Sequence, residues 1–333
     1  MIFPGTGLMP TLQKYCHPLY FGRRFIEDLS EQVGYAKGLR AKHGVQLVRR
    51  EDFAQNIHKT AFILGSGASI NNLSEGNWAE IRQNFSIGLN FSLLQDFVPN
   101  AYSAETPDYP HDPGFEENER ALLYQILKLR KDDYKDTYLM IRGTAVPKFF
   151  LRNPMAPMLE DRVKMAFSLR FHGDTWETRE KYVNNYATVM KLNRKAGWFP
   201  FPVAPGLSAS ILFLTTLCYL VGFKRVVLCG VDLNDPTYFF EVPRQDSRMV
   251  QEGWPAPPNP PMVVHPTFNR DRYKARVNVK DHFLMLKKAI FDSEGFELYS
   301  GSPTSALLPE IPFYPWAASL DQNVALREKD ATA

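Results

Sequence analysis

The apolar run Lys59-Thr60-Ala61-Phe62-Ile63-Leu64 stops abruptly at Gly65-Ser66-Gly67-Ala68-Ser69. A short, unbroken apolar run bounded by glycine suits a strand buried on both faces, and strands of parallel sheets are buried that way. Asn71, Asn72 and Ser74 follow the turn. These residue types cap helices, and a helix is expected over 77–83. Strand, glycine turn and helix in that order predict an α/β fold, a single Rossmann-like parallel sheet with helices on both faces.

The pattern recurs along the chain. Phe85-Ser86-Ile87-Gly88-Leu89 ends on Asn90, and Ala101-Tyr102-Ser103-Ala104 ends on Glu105. An amphipathic helix is expected over 116–131 and a further strand over 137–142. A helix over 208–221, closed by Gly222, leads into Arg225-Val226-Val227-Leu228-Cys229 and then Gly230-Val231-Asp232. Val279, Phe283, Leu286 and Ile290 lie on one face of a helix expected over 277–291. A last strand, 296–299, ends in the loop Gly301-Ser302-Pro303-Thr304-Ser305. Residues 147–202 show little periodicity and are expected to be helices and loops covering the sheet. Polar residues thus recur at strand C-terminal ends, where open α/β sheets bind ligands.

The domain divisions follow. Residues 1–58 are expected to be an N-terminal extension packed on the core, and 59–318 the Rossmann-like domain. Residues 319–333 are expected to be a flexible tail. Between 234 and 265 stand Pro236, Pro243, Pro255, Pro257, Pro258, Pro260 and Pro261. So many prolines exclude regular helix or sheet and suggest a lid.

Composition narrows the function classes. A formal charge of +3 on 333 residues is too weak for a nucleic-acid binder. Cys16, Cys218 and Cys229 are too few and too oddly spaced for a disulfide framework or a zinc site, so a cytoplasmic protein is expected. The first thirty residues carry Pro4, Pro10, Pro18, Arg23 and Arg24, and neither a secretory signal nor an anchor is legible. The longest apolar run, 211–223, falls short of the roughly 20 residues of a spanning helix. Arg23-Arg24 and Arg49-Arg50 suit a solvated surface or peripheral contact with an anionic inner membrane face. A homo-oligomer is compatible with all of this.

Chemistry gathers at the sheet edge. A glycine turn ahead of a helix presents backbone N–H groups to a phosphate, although an unliganded tight turn has the same sequence. The turn lacks the Lys-Ser/Thr of a P-loop and the third glycine of a dinucleotide site. Asp232-Leu233-Asn234-Asp235 can cap a strand end or hold a divalent ion with a nucleotide diphosphate. Among the histidines, His282 suits packing inside the last helix, His111 a structured loop and His172 no specific role, whereas His265 closes the lid.

The islands 62–69, 88–90, 222–232 and 299–305, in that order, resemble the bacterial lipooligosaccharide sialyltransferases of glycosyltransferase family forty-two. Their relatives with a flagellin-glycosyltransferase core are similar as well. The resemblance spans about half the chain. It implies a variant GT-A fold and an inverting, metal-independent enzyme. Its donor would be a CMP-activated ulosonic acid such as sialic acid, and its acceptor a glycan hydroxyl of surface polysaccharide or lipooligosaccharide.

Carried over by position, the donor nucleotide falls to Gly65, Ser66, Gly67, Ser69, Asn90, Glu105, Asp232, Ser302, Thr304 and Ser305. Ser208 or Ser210 would hold the sugar carboxylate. Tyr238 and Asn234 would stabilise the departing phosphate, and His265 would take the acceptor proton. The chain departs from the family at Ser66, Ala68, Glu105 and Asn234. Three rival functions stay open: a metal-dependent nucleotide-diphosphate-sugar transferase, a pyrophosphokinase-like enzyme, and a non-catalytic scaffold subunit.

Overall fold

The structure is a computed structural model, and it describes residues 18–104, 122, 123, 125–143, 163–170, 175–197, 199, 201–206, 209–256, 267–272 and 276–317. In chain order these form α1 (Pro18–His43), β1 (Gln46–Leu47), β2 (Thr60–Leu64), α2 (Glu75–Gln83), β3 (Phe85–Leu89), β4 (Ala101–Ala104), β5 (Tyr138–Arg142) and β6 (Val163–Arg170). Then come α3 (Trp176–Ala196), β7 (Val203–Gly206), α4 (Ser210–Val221), β8 (Arg225–Cys229), the single turn α5 (Arg248–Gln251), α6 (Val279–Leu286) and β9 (Glu297–Ser300). The strand order is β1-β6-β5-β4-β3-β2-β8-β9, with β7 also on β6. Every pairing between these strands is parallel. The chain is therefore an α/β protein built on a parallel sheet.

Burial explains the central strands. All five residues of β2 are buried, as are Val226, Val227, Leu228 and Cys229 of β8. Helix ends obey local chemistry. Ser74 Oγ accepts the Asn77 N–H and opens α2. Asn278 opens α6 in the same way. Gly197 and Gly222, both at positive φ, close α3 and α4.

The interval 147–202 departs from expectation, because β6 lies there as a sheet strand, with α3 behind it. Its sequence hides this. Lys164 and Ser168 interrupt the apolar run, and both are held by partners remote in sequence. Lys164 Nζ lies 2.5 Å from Asp52 Oδ1. Ser168 exchanges both backbone hydrogen bonds with the buried amide of Gln32, so a side chain of α1 extends the ladder beyond β5. Of the helix expected over 116–131, residues 122, 123 and 125–129 are helical, and 116–121 lie outside the described residues.

His282 is packed inside α6 at 2% exposure. Burial, reinforced by the nearby Arg179 guanidinium, lowers its imidazole from an ordinary value of 6.5 to about 4. Between those two values the unfolded chain takes up a proton that the folded chain refuses. Stability is thus complete above the unfolded value and drains away as pH falls towards the folded one. Urea unfolding at pH 7 and pH 4 is expected to show native protein losing about 3 kcal/mol more than His282→Gln.

Candidate functional site

The strand order reverses at β2. The chain moves outward from β2 through β3, β4, β5 and β6, then returns to lay β8 and β9 on the other side of β2. That reversal opens a crevice at the C-terminal ends of β2 and β8, the usual ligand position in such sheets. The loop 65–69 enters it from one side and 230–235 from the other.

The two loops are drawn together by backbone bonds. Gly65 N–H donates to Cys229 O and Gly67 N–H to Gly230 O, each at 2.8 Å. No side chain fits at either glycine. A Cβ on Gly65 would stand 2.5 Å from Gly230 O, and one on Gly67 would stand 2.5 Å from Asp232 Oδ2. Beyond Gly230, Leu233 sits at φ 63, and Asn90, at the end of β3, sits at φ 48. Left-handed backbone at non-glycine residues is strained, and such strain gathers at functional sites.

Asp232 occupies the centre at 5% exposure. Its Oδ2 accepts the Ser69 N–H at 2.9 Å, while Oδ1 is buried with no hydrogen-bond partner among the described residues. Burial raises its carboxyl above the usual range, Ser69 offsets part of the rise, and the charge of Asp235 adds to it. The loop after β9 closes the far side. Ser305 Oγ donates to Val231 O at 2.7 Å, and Ala306 N–H reaches both Asp232 O and Asn234 Oδ1 at 3.0 Å. Ser302 and Thr304 pair their hydroxyls at 3.0 Å.

Apart from that of Ser66, the N–H groups of the glycine turn are bonded within the protein. Those of Gly65 and Gly67 go to β8 and its loop, Ala68 to Thr237 O, Ser69 to Asp232 and Ile70 to Gly67 O. The anion at the start of the turn that follows is therefore the carboxylate of Asp232. The sequence pointed these N–H groups at a donor phosphate. Polar groups around the crevice with no hydrogen bond among the described residues include the Ser66 N–H, Ser69 Oγ, Asp232 Oδ1 and the Asn234 amide nitrogen.

The expected lid is tied to this turn over its first part. Tyr238 pairs with Gly67 in an antiparallel bridge, and Phe239 N–H donates to Ser66 O at 3.0 Å. Asn71 donates its amide to Phe239 O and Val242 O, a clamp rather than the helix cap its residue type suggested. Tyr238 stacks on Phe240 with ring centroids 5.1 Å apart. Farther along, Trp254 packs on the guanidinium of Arg130, itself 1% exposed, at 4.9 Å.

Ser66, Gly67, Ser69, Asp232, Asn234, Tyr238, Ser302, Thr304 and Ser305 are thus gathered by the loops after β2, β8 and β9. Asn90 stands at the end of neighbouring β3, where its carbonyl accepts the Tyr102 hydroxyl at 2.6 Å. Ser210 is buried at the start of α4, after β7, and its hydroxyl has no partner among the described residues. No hydrogen bond among the described residues joins Ser210 to the Asp232 cluster. Glu105, Ser208 and His265 lie outside the described residues. Gly230, Leu233 and the Asn71 clamp were not singled out for these roles in the sequence, since each acts through a contact made only after folding.

No family model and no curated protein matches this chain. Among the solved structures similar to it is the monofunctional alpha-2,3-sialyltransferase Cst-I from Campylobacter jejuni, at 16% identity and a TM-score of 0.38, covering 77% of this chain and 80% of that one. The fold assigned above rests on strand order and pairing. No helix among the described residues is long and apolar enough to cross a membrane, and they hold no group of three or more His, Cys, Asp or Glu able to bind a metal ion.

Proposed function

We propose that this chain is a glycosyltransferase that moves an ulosonic acid from a CMP-activated donor to a glycan hydroxyl with inversion. One observation supports it above the others: separate sequence islands, 65–69, 230–238 and 302–305, converge on the switch-point crevice around Asp232. Chemistry assigns the parts. Asp232 Oδ1 suits a ribose hydroxyl as its partner. Asn234, its Oδ1 held by Ala306, offers its amide N–H groups to the departing phosphate, and the Tyr238 hydroxyl is assigned the same role. His265 takes the proton of the attacking hydroxyl. The acceptor oxygen then bonds to the anomeric carbon as its bond to the CMP phosphate oxygen breaks, and the electron pair leaves with CMP.

The test is release of CMP from CMP-sialic acid in the presence of a galactoside acceptor and a chelator. Acceptor-dependent release is expected, with His265→Ala reducing it by at least about 100-fold. Turnover confined to nucleotide-diphosphate sugars with a divalent cation would instead assign the crevice to the metal-dependent class.

A further inference from the structure

A second cavity lies far from the crevice. It is a groove of about 750 Å³ between the C-terminal half of α1, β1 and the edge of β6, within the range of small-molecule and cofactor sites. In strand order its β6 wall is four strands from β2, or about 19 Å. Val33, Ala36, Leu47, Phe167 and Phe201 give it an apolar lining. Its titratable groups are Lys37, Arg40, Arg49, Glu51 and Asp52. Asp52 is engaged by Lys164 and by the Arg49 backbone N–H. No ion-pair partner for Lys37, Arg40 or Arg49 is found among the described residues, so cations outnumber free carboxylates.

The helix carries a second, independent feature. Leu19 and Ile26 are 70% and 65% exposed. They stand seven residues apart, with Val33 and Arg40 continuing the same spacing, so all four lie on one side of α1. An apolar stripe of ~21 Å, from Leu19 to Val33, therefore runs from solvent to the cationic groove, where Arg40 continues the same side.

We propose that this groove takes the head group of an anionic phospholipid, with Leu19 and Ile26 seated in the same membrane surface. Charge complementarity selects an anion, and the apolar stripe selects an amphiphile over a free anion. Arg and Lys serve such sites by laying apolar stems along the lining and keeping their charges at the surface.

The full chain would be sedimented with vesicles of phosphatidylcholine, with and without phosphatidylglycerol. Binding is expected only to the anionic vesicles. The double variant Lys37→Glu/Arg40→Glu is expected to weaken it at least about tenfold. Leu19→Glu/Ile26→Glu is expected to weaken vesicle binding as well, which a free-anion site would not show. Thermal melts identify any variant that fails to fold, and Arg49→Glu then replaces it. Undiminished binding by the folded charge-reversed variants overturns the proposal. Equal binding to neutral vesicles does so too, as does displacement by inorganic phosphate at matched ionic strength.

Discussion

Asp232→Ala is expected to lower kcat/KM for acceptor-dependent CMP release at least about 100-fold, because it removes a donor contact and the anchor that positions the loop after β2. The substitution removes the acceptor of the Ser69 N–H and with it the side-chain link between the loops after β2 and β8, leaving their backbone bonds. Leaving that donor without its partner costs about 1–3 kcal/mol of stability, which urea unfolding will show. Asp232→Asn separates charge from geometry, because an amide oxygen can still accept from Ser69. The native carboxyl is raised by burial, so folding favours its protonated form. Its stability contribution is whole below the unfolded value and lost as pH rises through the folded one. Asp232→Asn is accordingly expected to gain stability over native protein as pH rises from 4 to about 7. A constant difference across that range would show that the carboxyl does not titrate there.

Arg130→Met is expected to be the most destabilising single change outside the crevice, costing about 3–5 kcal/mol in urea or thermal unfolding. The guanidinium is fully buried. It donates to Leu93 O at 2.5 Å, to Gln95 O, and to Asp96 O at 3.2 Å, and it pairs with Asp133 at 3.0 Å. It also lies between the rings of Tyr134 and Trp254. Methionine fills much of the volume and satisfies none of the three carbonyls. Asp133 retains Arg248, whose backbone N–H is held by Asp96. The damage should therefore fall on the 93–96 loop and on the seat of Trp254. Arg130→Lys is not expected to rescue it, since an ammonium lacks the planar fork that reaches separated acceptors.

How much of this was legible in the sequence depended on the range of the interactions. β2 and β8 were legible because their apolar runs, stopped by glycine, report burial on both faces, and β3 and β4 because short, mostly apolar runs end on Asn90 and Glu105. β6 was not, because its Lys164 and Ser168 are accommodated by Asp52 and Gln32, more than a hundred residues away. At the site, residue types at the sheet edge marked the crevice. The occupancy of the glycine turn could not be read that way. Whether the N–H of Ser69 faces a ligand or Asp232 depends on a contact spanning 163 positions. The same holds for Asn71, which reads as a cap and serves as a clamp on the segment after Thr237.

The central claim is that the crevice between β2 and β8 binds a cytidine monophosphate donor. Calorimetric titration of the full chain with CMP, UDP, GDP, NAD and S-adenosylmethionine, in native form and as Asp232→Ala, tests it most directly. Saturable binding of CMP, weakened at least about tenfold by Asp232→Ala, is the expected result. Binding confined to NAD or S-adenosylmethionine, or CMP affinity indifferent to Asp232, would contradict it.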